Sequence, residues 1–171
     1  MREMLNNKVD LLLTLDCGTT SNEIIDNKEF KNIDVIVIDH HLSEINLPNV
    51  LAIINPNRVD DTSDYKQLAA VGVTFLFLMY LRKKLRELNK FYEIKEPNLL
   101  SYLDLVALAT VCDVVELKRY NRLFVKKGLE LIHKRYHRGI AKLIDNSNIV
   151  SSPTSQDLGF VVGPQINAAS R

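Results

Sequence analysis

Residues 9–18 read Val9-Asp10-Leu11-Leu12-Leu13-Thr14-Leu15-Asp16-Cys17-Gly18, and residues 34–41 read Asp34-Val35-Ile36-Val37-Ile38-Asp39-His40-His41. Each is a short apolar run that stops on an acid. Continuous rather than alternating apolarity predicts strands covered on both faces, as in a parallel sheet. Between them, Thr19-Thr20-Ser21 can cap a short helix through Glu23, Ile24, Ile25 and Phe30, which completes a β-α-β unit. A third short strand over 51–54 is stopped by Asn55-Pro56-Asn57, because Pro56 lacks the backbone donor that a central strand needs. Three strands therefore end in polar residues. In open parallel α/β sheets ligands bind at the carboxyl ends of the strands, so these acids and imidazoles point toward one crevice.

Outward from this unit the chain turns helical. Residues 66–88 are densely apolar up to Leu81 and then amphipathic, the pattern of a core helix with a solvated tail. Further helices are predicted over 99–110, 120–134 and 140–144, and the polar stretch 145–156, which holds Pro153, reads as a loop. The predicted fold class is α/β: a parallel-sheet half over residues 1–60 followed by a mainly helical half over 61–171.

The chain has 171 residues, 22 Lys+Arg against 21 Asp+Glu, and a net charge of +1. So even a balance gives no global field for nucleic acid, and any such function must reside in a local site. Cys17 and Cys112 form neither a disulfide framework nor a zinc spacing, which suits a reducing compartment. No apolar run reaches the roughly 18 residues that span a bilayer, and residues 1–10 lack a secretory apolar core. The expectation is a soluble, cytoplasmic chain with no membrane partner.

Asp39-His40-His41 is the sharpest candidate site, since a carboxylate and neutral imidazoles suit Mn²⁺ or related divalent ions and a strand end holds them rigidly. Three adjacent residues alone would be a polar strand end. Asp16 strengthens the reading, because it ends the neighbouring strand of the same unit. Asp113 follows an apolar helix, where a carboxylate meets the negative end of the helix dipole unless a cation offsets it. Other features read as structural. His133 and His137 have i,i+4 spacing but no Glu follows His133 and no third ligand is evident, so a solvated face is predicted. Arg82-Lys83-Lys84 and Lys126-Lys127 read as exposed helix faces, and Cys17 and Cys112 as small packing residues.

In order and spacing, the chain resembles the DHH phosphoesterase family, in its branch of RecJ-type single-strand-specific exonucleases. The matching stretches are 15–19 (Leu-Asp-Cys-Gly-Thr), 37–42 (Val-Ile-Asp-His-His-Leu), 54–57, 68–75, 104–115, Asn121-Arg122, 157–160 and 163–171. The resemblance implies that Asp16, His40 and Asp113 are ligands of catalytic Mn²⁺ or Mg²⁺, with Asp39 and His41 as catalytic residues in or beside the centre. It assigns Asn167 and Arg171 to a motif that faces substrate phosphate. The implied activity is 5′-to-3′ hydrolysis of single-stranded DNA. Two alternatives are a phosphodiesterase of the same family acting on short oligonucleotides, cyclic dinucleotides or pyrophosphate, and a non-catalytic fragment or subunit completed by another chain. Three departures bear on this choice. The family's earlier Asp-x-Asp motif does not occur in residues 1–15, Arg171 precedes the family's C-terminal domain, and Gln165 and Ser170 replace the usual Arg and Gly. The expectation is the middle part of a RecJ-type protein, a partial DHH domain over 1–171 with an incomplete two-metal site.

Overall fold

The computed structural model describes residues 9–25, 33–149 and 152–169. Phe30, Ser170 and Arg171, which the sequence reading uses, lie outside them. The chain forms two compact units, Met1–Thr74 and Phe75–Arg171.

In the first unit β1 (Leu11–Leu15), α1 (Asn22–Ile25), β2 (Asp34–Ile38) and β3 (Ala52–Ile54) follow in chain order. The three strands form one parallel sheet in the order β1-β2-β3. Its register pairs Leu15 with Ile38 and Ile38 with Ile54, so the carboxyl ends are level. One face packs on α1, where Ile25, Val35 and Val37 are buried and Leu12, Val50 and Ile53 close around them. The expected coverage of β1 on both faces is not found. Leu11, Leu13 and Leu15 are 48%, 45% and 51% exposed, because no described residue seals the second face of β1, which is one of the two outer strands. Central β2 keeps the buried character that its sequence predicts.

The helix predicted from residue 66 starts later, as α2 (Ala70–Glu87). Residues 65–68 form a turn first, with the Leu68 amide donating to the Tyr65 carbonyl. Leu68, Ala69, Ala70, Val73 and Phe75 are buried, whereas Leu78, Met79, Tyr80 and Leu81 are exposed. The apolar run is thus core in its first half only.

In the second unit a single 3₁₀ turn (Leu99–Tyr102) leads into α3 (Leu103–Cys112), followed by α4 (Arg119–His133) and α5 (Arg138–Asn146). Helices α3 and α4 cross at Gly128, where an added Cβ would lie 2.2 Å from the Leu103 carbonyl oxygen and 2.3 Å from Ala107 Cβ. Only a residue without a side chain allows that approach. The sequence reading assigns no element to residues 157–169, yet the structure makes them helical throughout. Thr154 and Asp157 form a reciprocal capping box that starts α6 (Ser155–Asp157), which runs on through a π-helical turn (Leu158–Val162) into α7 (Gly163–Ala169). Leu158 and Val162 join Leu108, Ile132, Ile140 and Ile144 in the core of this unit. His133 is exposed, with Nε2 2.9 Å from the Pro153 carbonyl, but His137 is not simply solvated: its Nδ1 lies 2.5 Å from Oδ2 of the fully buried Asp104. The pair links the start of α5 to the start of α3 and is no metal spacing. No helix among the described residues is long and apolar enough to cross a membrane.

Candidate metal centre

Level strand ends put the first residue after each strand in a row. Asp16 follows β1, Asp39 follows β2 and Asn55 follows β3, and the ladder extends into them: the Asp16 amide donates to the Ile38 carbonyl at 2.9 Å and the Asp39 amide to the Ile54 carbonyl at 3.1 Å. Asp16 then turns the chain with a left-handed φ of 62°, which a short polar side chain tolerates. Gly18 completes the turn at φ 116°, and a Cβ there would lie 2.7 Å from Thr14 Oγ1. The loop therefore folds back over the sheet edge, and its Thr19 amide reaches Asp39.

Potential ligand atoms of Asp16, His40 and His41 all lie within 4.8 Å of one another. His40 Nε2 is 3.4 Å from Asp16 Oδ1, and the two imidazole centroids are 4.7 Å apart. One carboxylate oxygen and two imidazole nitrogens are a donor set that suits Mn²⁺ and fits Mg²⁺ through its oxygen. These three residues would hold a divalent ion on the first unit.

Asp39 lies beneath the cluster and is 1% exposed. Its Oδ2 accepts the Thr19 amide at 3.1 Å; its Oδ1 accepts the amides of His40 at 2.8 Å and His41 at 3.3 Å. The same Oδ1 lies 2.7 Å from His41 Nδ1. Burial pushes the Asp39 carboxyl upward, but the hydrogen bonds from His41, Thr19 and His40 outweigh it and hold the pKa at about 2. An ionised carboxylate only accepts, so we assign the proton of His41 to Nδ1, which leaves the Nε2 lone pair for an ion.

A second layer was not singled out as part of the site by sequence reasoning. Asn55 is 3% exposed and its Nδ2 donates to Thr19 Oγ1 at 3.0 Å and to the His41 carbonyl at 2.8 Å. Its Oδ1 accepts the Asn57 amide at 2.8 Å, and Asn57 Nδ2 donates to the His40 carbonyl at 2.6 Å. Both asparagines thus clamp the backbone carbonyls of the two histidines. The signal for this was the Asn-Pro-Asn triplet, which the sequence reading uses as a strand stop and as a family match without giving either asparagine a role in the site.

Asp113 belongs to the second unit, where it caps the C-terminus of α3 and is exposed. Asn167 is exposed in α7 of the same unit. Gln165 is structurally engaged, with Nε2 donating to Ser147 Oγ at 2.6 Å and to the Val161 carbonyl at 3.1 Å. Cys112 packs against Leu158 and burial raises its pKa, which suits a packing thiol. Cys17, in contrast to the packing role expected for it, is exposed.

With the parallel sheet and the strand-end cluster in place, the comparisons agree on the class. Residues 1–110 match the DHH family, N-terminal domain, and the chain belongs to that family. Within it, the chain is similar to the single-stranded-DNA-specific exonuclease RecJ of Dickeya dadantii (strain 3937), with 44% identity over 166 residues, 95% of this chain and 29% of the relative. The RecJ of Escherichia coli (strain K12) is 42% identical over 165 residues, 94% of this chain and 29% of the relative. Among solved structures, RecJ from Thermus thermophilus in complex with Mn²⁺ matches with a TM-score of 0.77 and 32% identity, over 99% of this chain and 24% of that one. A second crystal structure, of exonuclease RecJ bound to manganese, matches with a TM-score of 0.75 and 30% identity, over 99% of this chain and 41% of that one. The expected α/β class is that of these structures. The chain spans less than a third of the length of the curated relatives.

Proposed function

We propose that this chain carries the central part of a metal-dependent nuclease core that hydrolyses phosphodiesters of single-stranded DNA in the 5′-to-3′ direction. The observation that carries the reading is the grouping of Asp16, His40 and His41 at level strand ends, with ligand atoms within 4.8 Å of one another. A divalent ion bound there lowers the pKa of water and offsets charge on the phosphoryl oxygens. In this reading Asp16 and His40 are metal ligands, and His41 is a catalytic residue presenting Nε2 to the ion or to phosphate. Asp39 acts through His41 as a positioning residue, and Asn55 and Asn57 hold the histidine backbone. Similarity to Mn²⁺-bound RecJ structures supports manganese as the ion, with Mg²⁺ as the substitute. The family resemblance alone assigns metal binding to Asp113 and substrate-phosphate contact to Asn167 and Arg171. It also implies that an Asp-x-Asp segment, in the same polypeptide or a separate one, completes a two-metal site. On this reading the 171 residues are a partial DHH domain working in the cytoplasm, in DNA repair and recombination.

The test is digestion of a 3′-labelled single-stranded oligonucleotide in Mn²⁺, with His40→Ala as the control. Progressive shortening from the 5′ end that is lost in the variant supports the reading. Shortening that survives both His40→Ala and Asp16→Ala sinks the assigned site.

A further inference from the structure

We infer that Phe160 is a stacking platform for a nucleobase of the single strand, held beside Asp113; this rests on the exonuclease reading above. The side chains of the π-helical turn divide sharply. Leu158 and Val162 are completely buried, whereas Phe160, midway between them, is 83% exposed. Single π turns inside helices concentrate at functional sites, and this one is fastened on both sides of Phe160. A Cβ on Gly159 would lie 3.2 Å from Val111 Cγ1, and one on Gly163 would lie 2.6 Å from Cys112 Sγ. The Cys112 thiol also points to the Leu158 carbonyl at 3.9 Å. The turn therefore presses on Val111 and Cys112, the last two residues of α3, and the next residue is Asp113.

Two further features belong to the chain segments that adjoin this packing. Val114, directly after Asp113, is 89% exposed and has φ 58°, a left-handed conformation that a β-branched residue avoids unless the fold imposes it. The π turn runs without a break into α7, which presents the exposed Asn167. An open aromatic ring thus stands on the helical stretch that packs on the last residues of α3, just before the proposed metal ligand Asp113, and that continues to the proposed phosphate contact Asn167.

The chemistry of the ring selects the ligand. Phe160 has no hydrogen-bonding atom with which to read a base edge, but every base offers a π face. A nuclease that removes successive nucleotides must accept all four bases, so a contact tolerant of sequence is the kind that it needs.

The chain contains no tryptophan, which makes Phe160→Trp a single fluorescent reporter. The variant is titrated in Mn²⁺ with oligodeoxythymidine and with an abasic strand of equal length, while anisotropy of the labelled strands follows binding by the unmodified chain. Quenching by the base-bearing strand but not by the abasic one is expected. Phe160→Ala is expected to bind oligodeoxythymidine about 5- to 150-fold more weakly, the range of base–aromatic stacking, with no change on the abasic strand and recovery in Phe160→Tyr. An unquenched reporter on a chain that binds DNA overturns the platform and leaves the exonuclease reading standing. Emission typical of a buried indole before DNA is added also overturns it, since protein would then cover the ring. If the unmodified chain binds no single strand, both readings fall.

Discussion

At the scale of single residues, the site depends on a carboxylate that itself stays out of reach of solvent. Asp39 spends both oxygens on Thr19, His40 and His41. Its pKa of about 2 lies below the unfolded value of about 3.9, so between these two values the group binds fewer protons when folded than when unfolded. The stability that this provides is complete above about pH 4 and is lost as pH falls toward 2. Asp39→Asn in chelator should therefore lower the unfolding free energy by about 2 kcal/mol at neutral pH, and the gap to the parent chain should close in denaturant titrations near pH 2. The same substitution should weaken Mn²⁺ binding by about 10- to 100-fold, because a neutral amide oxygen replaces the charged acceptor that orients His41. Calorimetric titration with Mn²⁺ checks this, and unchanged affinity would remove Asp39 from its positioning role. Asn55→Ala removes the hydrogen bonds that Asn55 Nδ2 donates to the buried Thr19 hydroxyl and to the His41 carbonyl. A loss of about 1–3 kcal/mol is expected in chemical denaturation.

At the scale of elements, backbone approach decides where small residues are needed. Gly128 lets α4 touch α3, and Gly128→Ala forces a methyl to within 2.3 Å of Ala107 Cβ. Overpacking of this kind costs about 1–3 kcal/mol, so a clear drop in melting temperature is expected. Gly139, in the first turn of α5, is the matched contrast, since a Cβ there meets nothing within 4 Å. Gly139→Ala should be neutral or stabilising by up to about 1 kcal/mol, through the restricted unfolded chain. Opposite signs in the same melting experiment would confirm that contact, rather than helix propensity, sets the requirement at Gly128.

At the scale of the whole molecule, apolar surface is left over. Leu11, Leu13 and Leu15 form a row on β1, an outer strand, at about half exposure. Outer strands with open apolar faces invite pairing with other chains. Leu13→Lys should therefore reduce concentration-dependent self-association in light scattering, with the far-ultraviolet circular dichroism unchanged. Equal scattering by both chains would show that this face is not sticky. The second unit has an apolar cavity of about 500 Å³ between α2 and α4, walled by Phe75, Leu76, Met79, Leu103, Leu123 and Phe124. The densely apolar half of α2 therefore lines open space as well as core.

Strand positions and strand-end acids were legible from the sequence, because a short apolar run that stops on Asp16 or Asp39 has few ways to be satisfied other than a parallel strand with at least one face packed. The ordered motifs likewise carried the family resemblance. Tertiary structure alone decided what depends on neighbours distant in the chain. Sheet register made Asp16, Asp39 and Asn55 level, folding buried Asp39 with its oxygens on Thr19, His40 and His41, and Asn55 and Asn57 became clamps on carbonyls that local sequence does not bring to them. The last helical stretch escaped the sequence reading because its polar start hides a capping box, and its packing on α3 rests on glycines whose value lies in contacts made across the fold. Periodicity reports which residues avoid water, and only the assembled chain determines which partners they meet when they do.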